Sequence, residues 1–251
     1  MEWKGAGPGV LLVHAGVADS RMWDPQFEPL AAAHHVIRFD IRGFGRSPMP
    51  PGTFAYHDDI AAVARAAGCD RVTLIGCSFG GHLCLDTALA YPDLAERLVL
   101  VAPSLGTAAE DEAMGSFGGE EEALLERGDL DGATELNLRM WVDGPHRAPE
   151  QVDPAVREKV RVMQREAFAM EMPEGVKRTR LDPPAAEQLG AIRVPTLAVV
   201  GALDVPVLLD VAERIEREVP GARRVVIPNA AHMVTLERPH EFARALEGFL
   251  G

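Results

Sequence analysis

Six short apolar runs, at 10–13, 36–39, 72–75, 98–101, 196–200 and 224–227, constrain the fold of this chain more than any other feature. Each is too short for a buried helix and rich in Val, Leu and Ile, so each reads as a strand covered on both faces. Helical patterns separate many of them, at 29–34, 56–67, 81–91, 207–219 and 242–250. Alternation of strand and helix predicts an α/β fold: a mostly parallel sheet flanked by helices. The 251 residues leave room for one such domain and a smaller addition.

One segment breaks the rhythm. From 106 to 190 no strand pattern occurs, and helix-favouring stretches at 120–126, 133–142 and 154–172 take its place. So long a connection is more than a loop. The expectation is a helical lid over 106–190, inserted between the two parts of a core domain, 1–105 and 191–251.

Composition excludes several classes of function. The 25 basic and 38 acidic residues give a formal net charge of −13. Neither nucleic acid nor an anionic membrane is an expected partner, because both need a basic patch. The three cysteines, Cys69, Cys77 and Cys84, form no CxxC pair. A disulfide framework or a metal site is therefore not expected, and a reducing cytoplasm fits. The first apolar run is too short for a signal sequence, and no run approaches the length of a membrane span. The partner expected is a small-molecule substrate; the oligomeric state is not readable.

The chemistry centres on Gly76-Cys77-Ser78-Phe79-Gly80, which fits G-x-S-x-G and joins a predicted strand to a predicted helix. A strand that turns directly into a helix strains the residue at the join, and small neighbours let the turn close. The result is an exposed hydroxyl beside a helix N-terminus, the nucleophile elbow. A serine needs a base. His232 follows the last predicted strand, and parallel strands all leave the sheet at one edge, so its loop shares an edge with Ser78. The acid that orients such a histidine reads as Asp204, directly after the fifth run, although Asp204 could instead cap the helix that follows. Asp40 and Asp86 are rivals. Oxyanion donors are expected from the Phe79 amide and from the loop after the first strand, at Gly16 or its neighbour Val17. Trp141 and Met233 are expected to line the substrate pocket, with Phe79 and Trp23 as further candidates.

These residues resemble the α/β-hydrolase fold family. The resemblance spans nearly the whole chain and rests on "VHAGVADSRMWDPQ", "FDIRGFGRS", the elbow, "GALD" and "NAAHM". Within the family, the pattern is similar to serine-nucleophile esterases, enol-lactonases and cofactor-free haloperoxidases. The resemblance implies hydrolysis of a small ester, thioester or lactone through a Ser-His-Asp triad and an acyl-enzyme, with no cofactor. The alternatives are a slow-turnover ligand sensor and a lyase or C–C hydrolase on the same scaffold. Two departures stand out: the antiparallel hairpin that usually precedes the first parallel strand is missing or reduced to about 2–4, and Cys77 sits beside the nucleophile.

Overall fold

The computed structural model describes residues 1–250. Seven strands form one twisted sheet: β1 (Glu2–Lys4), β2 (Gly9–Val13), β3 (His35–Arg38), β5 (Val72–Cys77), β6 (Ala95–Val101), β8 (Thr196–Gly201) and β9 (Arg223–Ile227). Their spatial order is β1-β3-β2-β5-β6-β8-β9. Only β1 is antiparallel, pairing Trp3 with Ile37 of β3; the other neighbours run parallel. The expected N-terminal hairpin is thus reduced to one exposed strand.

The apolar runs are continuous because both faces of the sheet are covered. Along β2, Val10 and Leu12 enter one core and Leu11 and Val13 the other. One face carries α2 (Tyr56–Ala66), α3 (Phe79–Ala90) and α8 (Pro206–Glu218). The other carries α1 (Asp24–Ala31), the short α9 (Val234–Glu237) and α10 (Pro239–Leu250), gathered around fully buried Trp23 and Phe242.

Between β6 and β8 lie α4 (Ala108–Met114), α5 (Phe117–Glu126), α6 (Leu130–Leu138) and α7 (Pro154–Phe168). Helix α6 continues into a π-helical turn, Arg139–Asp143. Two sequence expectations fail here and at the first helix. The segment 106–190 does contain a strand, β7 (Val176–Arg178), which pairs in parallel with β4 (Gly52–Phe54) as a separate two-stranded sheet. A three-residue strand is too short to show a period of two, so only its distant partner reveals it. The first helix begins at Asp24, not at 29, because Pro25 fits the first helical turn and Pro29 is tolerated inside.

The join of β5 to α3 is the tightest point of the fold. A Cβ on Gly76 would lie 2.3 Å from the Gly80 carbonyl oxygen, and one on Gly80 would lie 2.4 Å from the carbonyl oxygens of both Val13 and His14. The first turn of α3 therefore lies directly on the end of β2. Gly76→Ala is expected to cost about 3 kcal/mol of stability through forced backbone displacement. Gly248→Ala, with nothing within 4 Å of its added methyl, is expected to be neutral or to stabilise by up to about 1 kcal/mol. Urea unfolding of both variants checks the pair.

Candidate active site

The loops after β2, β5, β8 and β9 all leave the same edge of the sheet, because these strands are parallel. Ser78 directly follows β5 with φ 54° and ψ −116°, a conformation rare for a residue with a side chain. Its amide donates to the Val101 carbonyl at 2.8 Å, and its carbonyl accepts from His82 at 3.0 Å, so neighbours on both sides hold the strain. The hydroxyl is half-buried at the N-terminus of α3.

Asp204 follows β8 and His232 follows β9. Their side chains are paired, His232 Nδ1 donating to Asp204 Oδ2 at 3.0 Å, and they are 2% and 1% exposed. The second carboxylate oxygen accepts from the Val205 amide at 2.8 Å. Asp204 does not cap α8, whose cap position is Val205. The two loops are tied together, Leu203 N–H donating to the Ala230 carbonyl at 2.8 Å. With Nδ1 committed to the carboxylate, Nε2 is the basic atom of the ring, and it has no partner among the described residues. No hydrogen bond joins Ser78 Oγ to His232 here; such contacts are often loose in unliganded sites.

The rivals of Asp204 are occupied elsewhere. Asp40 accepts amides from Ser20 and Arg46, both at 3.0 Å. Asp86 lies 3.5 Å from His82 on α3. Cys77 is fully buried, and burial, with Asp204 nearby, pushes its thiol far above the usual range. It is a small apolar filler beneath the elbow.

A pocket of about 360 Å³ opens over Ser78, lined on the sheet side by Gly16, Val17, Gly43 and Phe44. Gly16 lies close to Phe79: a Cβ on Gly16 would be 3.5 Å from the Phe79 Cβ. The amides of Gly16 and Phe79 donate to no backbone carbonyl among the described residues. The Phe79 side chain turns away from the pocket and packs edge-on against Tyr56, with centroids 5.3 Å apart. Trp141 lines this pocket, and its ring lies 4.7 Å from that of His232. Met233 and Trp23, also expected there, are instead fully buried core residues. Met233 directly follows His232, but it points into the core under α9 and α10.

Sequence reasoning missed most of the remaining lining: Phe117, Glu121, Asn137, Gln164, Ala167 and Phe168. Its signal is an aromatic and a polar residue four apart on each of three helical stretches, which is visible only once the three are known to converge. It also missed two positioning devices. One joins the helical segment to the histidine loop. Arg147 bonds the Asp143 and Val142 carbonyls at 2.8 and 2.7 Å and Glu237 at 2.6 Å. Glu237 in turn accepts the Ala231 amide, next to His232, at 2.9 Å. The other is His14. Its Nδ1 donates to the Ala15 carbonyl at 2.8 Å and its Nε2 accepts from the Ile41 amide at 2.9 Å. That arrangement requires neutral imidazole and ties the Gly16 loop to the Gly43–Phe44 turn.

The profile of the α/β hydrolase fold family matches residues 8–239, and the chain belongs to that family. It is a hydrolase of this fold. It is 27% identical to the pimeloyl-[acyl-carrier protein] methyl ester esterase of Pectobacterium atrosepticum, across 98% of this chain and 97% of the relative. Among solved structures it resembles a hydrolase from Pseudomonas aeruginosa PA01, with 28% identity, a TM-score of 0.82 and coverage of 100% and 93%. A thermophilic esterase from Thermogutta terrifontis gives 28% identity, a TM-score of 0.80 and coverage of 99% and 91%. No helix among the described residues is long and apolar enough to cross a membrane.

Burial lowers the pKa of His14 below the ordinary 6.5, against smaller upward pulls from the Ala15 carbonyl, Asp40 and Asp19. The unfolded chain then takes up this proton first as pH falls, so stability present above 6.5 is lost below it. Between pH 7 and 5, wild type is expected to lose more unfolding free energy than His14→Gln, whose side chain does not titrate. Urea titrations of both proteins across that range check this.

Proposed function

We propose that the protein is a serine hydrolase that cleaves a small ester, thioester or lactone. The observation that carries this reading is the buried His232–Asp204 pair on loops at the same sheet edge as the strained Ser78. His232 Nε2 takes the Ser78 proton as Oγ adds to the substrate carbonyl carbon. The amides of Phe79 and Gly16 receive the oxyanion. The tetrahedral centre collapses, the bond to the leaving oxygen or sulfur breaks, and His232 returns the proton to it. Water, deprotonated by His232, then adds to the acyl-enzyme; its collapse frees the acid and restores the Ser78 hydroxyl.

Asp204 fixes the tautomer that leaves Nε2 basic and stabilises the imidazolium formed in each half-reaction. The pocket volume of about 360 Å³ suits a small substrate. Similarity to a methyl ester esterase and to a thermophilic esterase supports ester cleavage.

A small fluorophosphonate is expected to add once to wild type and not to Ser78→Ala, read by intact mass. Hydrolysis of p-nitrophenyl esters is expected to fall at least about 10⁴-fold in Ser78→Ala and about 10³- to 10⁴-fold in Asp204→Asn. Full esterase activity in Ser78→Ala would overturn the mechanism.

A further inference from the structure

The pocket over Ser78 is covered by aromatic and polar side chains from three helical stretches. Helix α5 contributes Phe117 and Glu121, α6 and its π-helical turn contribute Asn137 and Trp141, and α7 contributes Gln164 and Phe168. Each pair is four residues apart, so the two members share a face one turn apart. The direction of the α6 pair is fixed at its far end. A Cβ on Gly144, just past the π-helical turn, would lie 2.8 Å from the Leu203 carbonyl oxygen and 3.0 Å from the Ala231 methyl. Trp141 lies against His232, and Asn137 is a further turn away, about 5–6 Å. The aromatic Trp141 therefore stands beside the reacting atoms, and the polar Asn137 lies deeper.

The polar side chains hold unused acceptors and one unused donor group. Asn137 spends both N–H groups, on Glu121 Oε1 at 2.5 Å and on the Ala133 carbonyl at 3.0 Å. Both partners are acceptors, which fixes its amide orientation and leaves Oδ1 with no donor among the described residues. The second Glu121 oxygen also has none. Gln164 is 4% exposed; its Oε1 is buried and unpaired, and its Nε2 has no partner among the described residues either. A buried amide without a partner is costly, and a ligand hydrogen bond to its free N–H groups offsets that cost. Among the lining residues there is no Lys, Arg or His, and Glu121 is the one ionisable group. An anionic substrate end would meet that carboxylate with no cation to offset it.

We infer that the acyl chain of the substrate ends in a neutral group that both donates and accepts, a hydroxyl or an amide, donating to Asn137 Oδ1 or Glu121 and accepting from Gln164 Nε2, and that carboxylate ends are rejected. This specificity rests on the serine-hydrolase reading above. Phe117 and Trp141, edge-on with centroids 5.7 Å apart, flank the apolar stem between the ester and that group.

Four p-nitrophenyl esters of matched length test it: hexanoate, 6-hydroxyhexanoate, 6-acetamidohexanoate and the half-ester of adipic acid. Wild type is expected to show kcat/KM about tenfold higher for the hydroxy and acetamido esters than for hexanoate. The adipate half-ester is expected to fall below hexanoate. In Gln164→Met, close in length and unbranched, the ratio of acetamido ester to hexanoate is expected to drop toward one. In Glu121→Gln, which keeps an acceptor, the penalty on adipate is expected to shrink while the donor preference persists. Complete single fluorophosphonate labelling at Ser78, read by intact mass, verifies that each variant is folded with its site assembled. Labelling and hexanoate hydrolysis without any donor preference would overturn this inference and leave the serine-hydrolase reading standing, as would a preference undiminished in Gln164→Met. Absence of labelling in wild type would remove both.

Discussion

The contact between the first turn of α3 and the end of β2 governs everything above the sheet. Gly80 lies against the Val13 and His14 carbonyls so closely that no side chain fits. That approach sets the Gly16 loop beside Phe79 and fixes the height of Ser78 over the sheet. The strain at Ser78, φ 54° with a side chain present, persists because β5 is buried on both sides and its neighbours hold the backbone. A strained serine beside a helix N-terminus organises the site around its hydroxyl.

The rest of the molecule transmits position to this point. His14, neutral and bonded at both nitrogens, joins the β2 loop to the turn after β3. Arg147 and Glu237 join the helical segment to the residue before His232. Trp141 completes the connection by packing on the His232 ring. The helices α5–α7 therefore form one wall of the pocket and also hold the base in place. A change in their seating would move the imidazole and the acyl pocket together.

Much of this was legible in the sequence, for identifiable reasons. Five of the six apolar runs give the five central parallel strands, since burial on both faces writes itself as an unbroken Val/Leu/Ile run; the sixth gives the edge strand β9, which is not covered on both faces as expected, since Val226 is exposed. Ser78, Asp204 and His232 could be proposed because each follows such a run, and parallel strands open at one edge. The pocket lining was read poorly. Met233 looked available because of its neighbour, yet one residue of displacement around a tight loop turns it into the core. Phe117, Glu121, Asn137, Gln164 and Phe168 carry no local mark, since aromatic and amide residues four apart on a helix serve equally as surface or core.

By itself, then, the sequence determined the α/β architecture, the strand-to-helix elbow and the chain order of serine, acid and histidine. These depend on local pattern: apolar continuity, glycine where backbones meet, and the shared direction of parallel strands. Tertiary structure alone decided that Asp204 bonds His232 and does not cap α8, and that β7 pairs with β4. It also decided that three helices bring aromatic side chains and unpaired polar atoms over Ser78. Those outcomes depend on which distant surfaces meet, and in a short strand or on a helix face no local signal records the partner.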